Sequence, residues 1–337
     1  MSVTWRPVLG LVLVALLGAA QTGAASRRAR RPKPPPLPGL IVPATASAQE
    51  LAVGEACRRA LGSASGGVVA MDPRTGRVLA IVNPGQSLVK AYQPCSVFKI
   101  VVAVAGLSEG VITPDTIYSC RKGCWIWPGH GSIDLRRALA VSCNPYFEWV
   151  GEQLGYDTVQ RYGRLLGLGS PSGINLTGEA AGRVPPSVRP ELVGHLSSHA
   201  EGIETSAVQL AVLISATING GVVFQPQVAS ASGFVPRQRW RLPDATVLSG
   251  LTDGLLAAVN EGSASSAFDP DVVVAGKTGS CSRLGWFASY APADRPELVV
   301  VVFLRRGNGH QASAIAGRIY QALFKPAPPP FAAGGGF

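Results

Sequence analysis

Three short groupings of reactive side chains stand along this 337-residue chain: Ser96-Val97-Phe98-Lys99, Ser142-Cys143-Asn144 and Lys277-Thr278-Gly279. A serine hydroxyl is a poor nucleophile until a base takes its proton. Lysine can be that base only where burial or a second cation lowers its pKa. Three residues apart on a helix, Ser96 and Lys99 share a face, so the amine can reach the hydroxyl. Lys277 is the expected second cation. A serine at a helix N-terminus also presents its backbone N–H to a developing oxyanion, where the macrodipole favours negative charge. Ser142 adds a second hydroxyl and Asn144 an amide. Together these residue types point to acyl transfer through an acyl-serine.

The S-x-x-K spacing recurs at Ser87…Lys90 and Ser119…Lys122. Neither opens an apolar helix: the first falls in a loop after a hairpin, the second in a cysteine-rich loop. Only Ser96 follows a proline, Pro94, and leads into an apolar run over residues 97–107 that reads as a buried helix. The S-x-N and K-T-G groupings each occur once.

The elements that must position these groups can be read from the apolar pattern. Residues 46–61 have helical composition. Residues 67–71 and 78–83 are apolar strand candidates joined by Asp72-Pro73-Arg74-Thr75-Gly76, the chemistry of a tight turn. Residues 134–141, 145–154 and 157–166 read as short helices. Thr205 is placed to cap a long helix ending before Gly220-Gly221. A helix over 245–259 precedes strands over 272–279, 284–291 and 298–304 and a last helix over 311–323. Two early strands, a helical middle and three late strands predict one mainly antiparallel sheet on which the chain ends meet. The expected class is α+β (or α/β in three layers): five strands flanked by helices, with an all-helical subdomain.

Apolar residues make up 47% of the chain and charged residues 15%, which excludes a disordered protein. Residues 1–25 read as a signal peptide or signal anchor, with an apolar run of 13 residues over 8–20, short of the roughly 20 that span a bilayer. Residues 26–45 read as a basic, proline-rich linker, 46–324 as one domain and 325–337 as a disordered tail. The net charge is +10, and six of those charges lie in residues 1–39, which hold no acidic residue. The remainder is too nearly balanced for a nucleic-acid partner. The Arg27–Lys33 run offers contact with a membrane surface or an anionic wall polymer.

With the three groupings in this order, the chain resembles the penicillin-recognising serine acyltransferases. Residues 92–100 (Tyr-Gln-Pro-Cys-Ser-Val-Phe-Lys-Ile) resemble the nucleophile segment of class B penicillin-binding protein transpeptidase domains. Residues 67–83, 129–147, 202–221 and 275–294 resemble the family's opening hairpin, its approach to S-x-N, its long helix and its closing strands. The resemblance spans roughly residues 65–323. It implies a β-lactamase/transpeptidase-like fold and an exported, extracytoplasmic enzyme acting on peptidoglycan stem peptides, with β-lactams as covalent inhibitors and no cofactor required for catalysis. Residue by residue, it implies that Ser96 is acylated and Lys99 takes its proton. Ser142 relays a proton to the leaving group and Asn144 holds the substrate amide. Lys277 and Thr278 bind the substrate carboxylate, Gly279 completes the motif, and the N–H groups of Ser96 and Ser280 form the oxyanion hole. Trp286 either walls the site or packs in the core.

Two alternatives remain open at this stage: a β-lactamase of class D type, and a non-turnover β-lactam or muropeptide sensor. A polar Asn144 where class D enzymes usually carry an aliphatic residue argues against the first. The stretch Pro190-Glu191-Leu192 echoes a class A deacylation loop, but Glu191 reads better as a helix-start residue.

Six cysteines stand at 57, 95, 120, 124, 143 and 281. Cys120, Cys124, His130 and Cys143 supply three thiols and an imidazole, the donor set of a closed tetrahedral zinc site that would brace the S-x-N element. A Cys120–Cys124 disulfide, with Cys143 as a small buried residue, competes with it. Cys95 and Cys281, beside the nucleophile and the K-T-G strand, are expected to be simple apolar packing.

Overall fold

The computed structural model of the protein describes residues 1–2 and 39–325. The signal or anchor expected over 1–25, most of the basic linker and the tail after 325 lie outside the described residues. Five long strands form the sheet, in the order Arg77–Val82, Gly66–Met71, Leu298–Leu304, Leu284–Ala291 and Ala275–Cys281, each antiparallel to its neighbour. The early hairpin pairs directly with a late strand, as the sequence predicts. Two two-residue strands extend the expected five to seven. Leu40–Ile41 adds antiparallel to Arg77–Val82, and Gln227–Val228 adds parallel to the same strand. The fold therefore begins before residue 46: Leu40 and Ile41 pair with Val82 and Ile81 instead of belonging to a linker. At the other end, Lys325 is tied to Asp269 at 2.8 Å.

The sheet is covered on both faces, which is why its central strands read as unbroken apolar runs. Every residue of Leu298–Leu304 is buried. Alternate side chains point opposite ways. Val299, Val301 and Phe303 join Val69 and the Lys99–Ser108 and Ala207–Ile218 helices in one core. Val300 and Val302 join Val68, Cys57, Ile315 and Tyr320 in the other, beneath the Ala48–Leu61 and Gly309–Phe324 helices. At about 1.5–3 kcal/mol per fully buried aliphatic side chain, these faces are the main stabilising term.

Capping boxes start three helices: Ser47 with Glu50, Ser206 with Gln209, and Asn308 with Gln311. Ser206 rather than Thr205 caps the Ala207–Ile218 helix. Thr205 is already engaged, its backbone N–H and C=O both bonded to Tyr92 at 2.9 Å. Two hairpins carry no sequence signal because their strands are only three or four residues long: Tyr118–Cys120 with Gly131–Ile133, and Val222–Phe224 with Gln238–Arg241. The architecture is α+β, as expected. Among the described residues no helix is long and apolar enough to cross a membrane.

Candidate active site

The nucleophile segment does not open directly as an α-helix. Cys95–Phe98 forms a 3-10 turn, and Lys99 begins the α-helix Lys99–Ser108. Pro94, with no N–H to satisfy, suits this entry. Cys95 sits in the left-handed region at φ 53°, uncommon for a residue with a side chain. It is held there by a disulfide to Cys281, with Cα atoms 5.7 Å apart. This corrects the expectation of simple apolar packing: the turn brings the residue before Ser96 against the residue after Ser280. The approach of the two elements depends on Gly279. A Cβ there would stand 2.6 Å from the carbonyl oxygen of Pro94 and 3.1 Å from Val97 Cγ2. Trp286 is fully buried against Phe303 and donates its indole N–H to the Gln93 carbonyl at 2.8 Å. It packs in the core and does not wall the cavity.

The lysines of the first and third motifs, Lys99 and Lys277, have no exposed surface and meet at Ser142. Lys99 Nζ donates to Ser142 O at 2.8 Å, Ser142 Oγ at 3.2 Å and Asn144 Oδ1 at 2.6 Å. Lys277 Nζ reaches the same Ser142 Oγ at 2.9 Å and the Thr278 carbonyl at 3.1 Å. The hydroxyl of Ser142 therefore sits between two amines. Burial pushes Lys99 down to about 7 from an ordinary 10.5, opposed by nearby Cys143 and Glu148. Burial also holds Lys277 well below its ordinary value, reinforced by the Lys99 charge. Two buried ammonium groups flanking one hydroxyl would repel, which disfavours both being charged at once. The Lys277 amine, with no exposed surface, is too deeply buried to meet a substrate carboxylate directly.

Ser142, at φ 56°, is a second left-handed residue of the site. It lies between the Leu135–Ala140 helix, capped by Asp134, and the Asn144–Leu154 helix. On its other side, Asn144 Nδ2 meets His199 Nε2 at 3.2 Å.

A cavity of about 470 Å³ opens above these groups, lined by Ser96, Ser142, Asn144, Thr278, Ser280, Ser263, Trp125 and His310, with Val141 and Asn308. Thr278 Oγ1 bonds Ser263 Oγ at 2.7 Å, and Ser280 Oγ accepts the Gly309 N–H at 2.8 Å. No carboxylate stands among the lining residues. Glu191 lies away from it, in the 3-10 turn Pro190–Leu192 before the Val193–His199 helix, and pairs with Arg189 at 3.4 Å. Of the other S-x-x-K serines, Ser87 is buried with its hydroxyl on the Val82 carbonyl and Ser119 accepts from Arg121. Neither lines the cavity.

The loop between the Tyr118–Cys120 and Gly131–Ile133 strands gathers Cys120, Cys124 and His130 against Cys143. All three cysteines are free thiols, so the expected Cys120–Cys124 disulfide is not formed. Cys143 Sγ lies 3.4 Å from Cys120 Sγ, and His130 Nδ1 lies 3.6 and 3.2 Å from Cys120 and Cys124. A tetrahedron with Zn–S bonds of about 2.3 Å has edges of about 3.8 Å, so the donor set has a fitting size. The same loop carries Trp125, two-thirds exposed, over the cavity.

Sequence reasoning missed Trp125, Ser263, His199 and the Cys95–Cys281 bridge. The first three carry no motif. The spacing of the two cysteines beside the two motifs was the one available signal.

A family model described as the penicillin binding protein transpeptidase domain matches residues 66–325. Among curated proteins, the chain is 27% identical over 291 residues to Stage V sporulation protein D of Bacillus subtilis, covering 72% of this chain and 45% of that one. It is 26% identical over 338 residues to the peptidoglycan D,D-transpeptidase MrdA of Haemophilus influenzae, covering 75% and 52%. The chain thus spans about half the length of these relatives. Solved structures share the fold. The D,D-transpeptidase domain of a peptidoglycan glycosyltransferase from Eggerthella lenta superposes with a TM-score of 0.71 at 22% identity, over 80% of each chain. Penicillin-binding protein A from M. tuberculosis, as its imipenem acyl-enzyme complex, gives 0.69 at 22% identity, over 82% of this chain and 78% of that one. With more than three quarters of its length matched by one family model, with Ser96, Ser142 and Asn144 lining one cavity and with Lys99 and Lys277 both bonded to Ser142, the chain belongs to the penicillin-binding protein transpeptidase domain family.

Proposed function

We propose that this protein is an extracytoplasmic serine D,D-transpeptidase that takes D-Ala-D-Ala stem peptides of peptidoglycan as acyl donors and is acylated by β-lactams. One observation carries the reading: Ser142 Oγ is held at 3.2 and 2.9 Å by two buried lysines below a cavity that Ser96 lines. Once the Lys99 proton has moved away, its amine accepts the Ser96 proton as Oγ attacks the D-Ala carbonyl. The oxyanion forms against the N–H groups of Ser96 and Ser280. Ser142 delivers a proton to the departing D-Ala amine and is reprotonated by Lys99, now an ammonium 3.2 Å away, which returns to its free-amine form. An acceptor amine then reverses the sequence: it loses a proton, attacks the ester carbonyl and returns Ser96 Oγ to its hydroxyl form. Thr278 and Ser263, rather than Lys277, face the substrate carboxylate.

The cavity favours transfer over hydrolysis. A β-lactamase needs a base for deacylation, and among the described residues no carboxylate lines this site. Lys99 Nζ is bonded to the Ser142 carbonyl and to Asn144 Oδ1, polar surroundings that do not favour carbamylation. Incubation with a stem pentapeptide and an acceptor amine tests this. Transfer product exceeding free tripeptide-D-Ala acid supports a transpeptidase. Release of D-Ala at a rate blind to the acceptor makes it a carboxypeptidase, and rapid multiple turnover of a cephalosporin makes it a β-lactamase.

Catalysis itself needs no cofactor. Zinc is proposed as a structural ligand of Cys120, Cys124, His130 and Cys143, holding the Trp125 loop and the Cys143 end of the S-x-N element. One mole of zinc per mole of protein purified without chelator supports this; three free thiols with no metal contradict it. Export is supported by the Cys95–Cys281 disulfide, a bond that persists in oxidising compartments. The basic stretch before the domain is proposed to touch the membrane surface or an anionic wall polymer.

A further inference from the structure

Asn144 is a planar amide whose two ends differ chemically, and its orientation decides what Lys99 meets. As an ammonium, Lys99 can only donate, so the atom 2.6 Å away must be Oδ1. The other end of the amide then points two N–H donors outward. His199 Nε2 lies 3.2 Å from that end and must be an unprotonated acceptor to satisfy it. The proton of a neutral His199 is thereby placed on Nδ1, and a partner waits there: Ser198 Oγ at 2.5 Å. Ser198 is fully buried, and its hydroxyl has two acceptors to which it can donate, Glu148 Oε1 at 3.0 Å and the His195 carbonyl at 3.1 Å. Donor and acceptor roles thus run one way through four groups, from Lys99 to Asn144 to His199 to Ser198, whose own proton goes on to Glu148 or to the His195 carbonyl.

We propose that His199 is a positioning residue for the acylation site: its Nε2 accepts from Asn144 Nδ2 and so keeps Asn144 Oδ1 turned toward Lys99. The inference rests on the transpeptidase reading of Ser96 and Lys99 and adds a residue that no motif marks. Its backbone is fixed as well as its ring. The His199 carbonyl accepts Gln93 Nε2 at 2.7 Å, and Gln93 in turn holds Trp286 beside the nucleophile turn. The Val193–His199 helix is thereby registered against the segment that carries Ser96.

A doubly protonated His199 would set a donor against the two N–H groups of Asn144, an arrangement relieved by turning the amide over. Its Nδ2 would then face Lys99, and one of the three acceptors that hold the ammonium would be lost. The groups that set His199 are few. Burial lowers its pKa, the stacked His195 ring at 4.2 Å and Lys99 act in the same direction, and Glu148 on the Asn144–Leu154 helix opposes them. His195 is itself turned to Glu201 at 3.1 Å, and Glu191 of the neighbouring 3-10 turn is paired with Arg189. His199 is therefore neutral, and the amide correctly turned, above mildly acid pH.

Two measurements on the full domain decide the proposal. Two-bond proton–nitrogen correlation of the histidine side chains reports the tautomer directly and needs no substrate. The expected result is His199 carrying its proton on Nδ1; a proton on Nε2 overturns the proposal. Acylation by a fluorescent penicillin is then followed for His199→Ala and His199→Gln. Loss of one hydrogen bond to an amide that itself holds a charged group predicts a fall of about tenfold in the second-order acylation rate for His199→Ala. His199→Gln, which can turn its amide oxygen to Asn144, is expected within about threefold of wild type, with less loss of rate at acid pH. Equal rates for all three proteins overturn the proposal, as do equal losses in both variants with a matching drop in thermal midpoint. A wild type that forms no adduct at all would sink the transpeptidase reading and leave the tautomer to decide the role of His199.

Discussion

Replacing Cys95 and Cys281 together by serine tests how the catalytic cavity is held. The bond closes a loop of 186 residues by joining the turn of the nucleophile to the K-T-G strand. Constraining an unfolded loop of that length is worth about 5 kcal/mol in the chain-entropy treatment, an upper figure because native bridges commonly contribute 2–4. In a domain of this size that corresponds to a fall in thermal midpoint of about 10 °C. The bond also has a local effect. Cys95 and Cys281 are the immediate neighbours of Ser96 and Ser280, whose N–H groups are proposed to hold the oxyanion, so cutting it frees both donors at once. Cys95 is left-handed at φ 53°, a conformation the surroundings must enforce. Removing one oxyanion donor typically costs 10²–10³ in rate, and loosening two without removing either predicts a loss of about tenfold or more. The assay pairs urea unfolding with the penicillin acylation rate measured well below the midpoint. A double variant that loses less than about 1 kcal/mol and acylates at the wild-type rate would refute the argument.

Lys99, held at about 7, should impose a tenfold fall in acylation rate for each pH unit below 7 and a plateau above it; a flat profile from pH 5 to 8 would show that some other group takes the proton. Because that pKa lies below the 10.5 of an unfolded lysine, the folded state binds fewer protons between those values. Its penalty is absent above pH 10.5, grows as pH falls and is complete below 7, at most about 5 kcal/mol, so Lys99→Met should flatten the pH dependence of unfolding across that window. Gly279→Ala should leave a folded domain that acylates at least tenfold more slowly, since its Cβ, 2.6 Å from the Pro94 carbonyl, forces the K-T-G strand off the nucleophile turn; unchanged kinetics would mean the strand moves freely. Trp125→Ala should weaken the initial binding of bulky β-lactams several-fold and spare the acylation step, which separate fits of the saturation curve will show.

The legible parts of the fold were those with a period or a fixed spacing. Both faces of Leu298–Leu304 are buried, so its run of valines announces a central strand, and the S-x-x-K, S-x-N and K-T-G residues meet because the elements bearing them are each strongly patterned. What stayed hidden was set by tertiary contact. Thr205 is a good cap by type, yet its backbone is taken by Tyr92, which passes the role to Ser206. Trp286 sits two residues from Leu284 in a strand whose faces are both buried, so its ring is core despite its place near the motif. That both lysines close on the one hydroxyl of Ser142, at 3.2 and 2.9 Å, is likewise a tertiary fact that no spacing supplies.

The central claim is that Ser96 becomes covalently acylated. Intact-protein mass followed over time after adding a penicillin to the full domain, with Ser96→Ala beside it, tests that claim most directly. The expected result is a single stable adduct of the mass of the whole drug, formed by the wild type and missing from Ser96→Ala. An adduct that persists in Ser96→Ala, or a wild type that gains no mass while the drug stays intact, would contradict it.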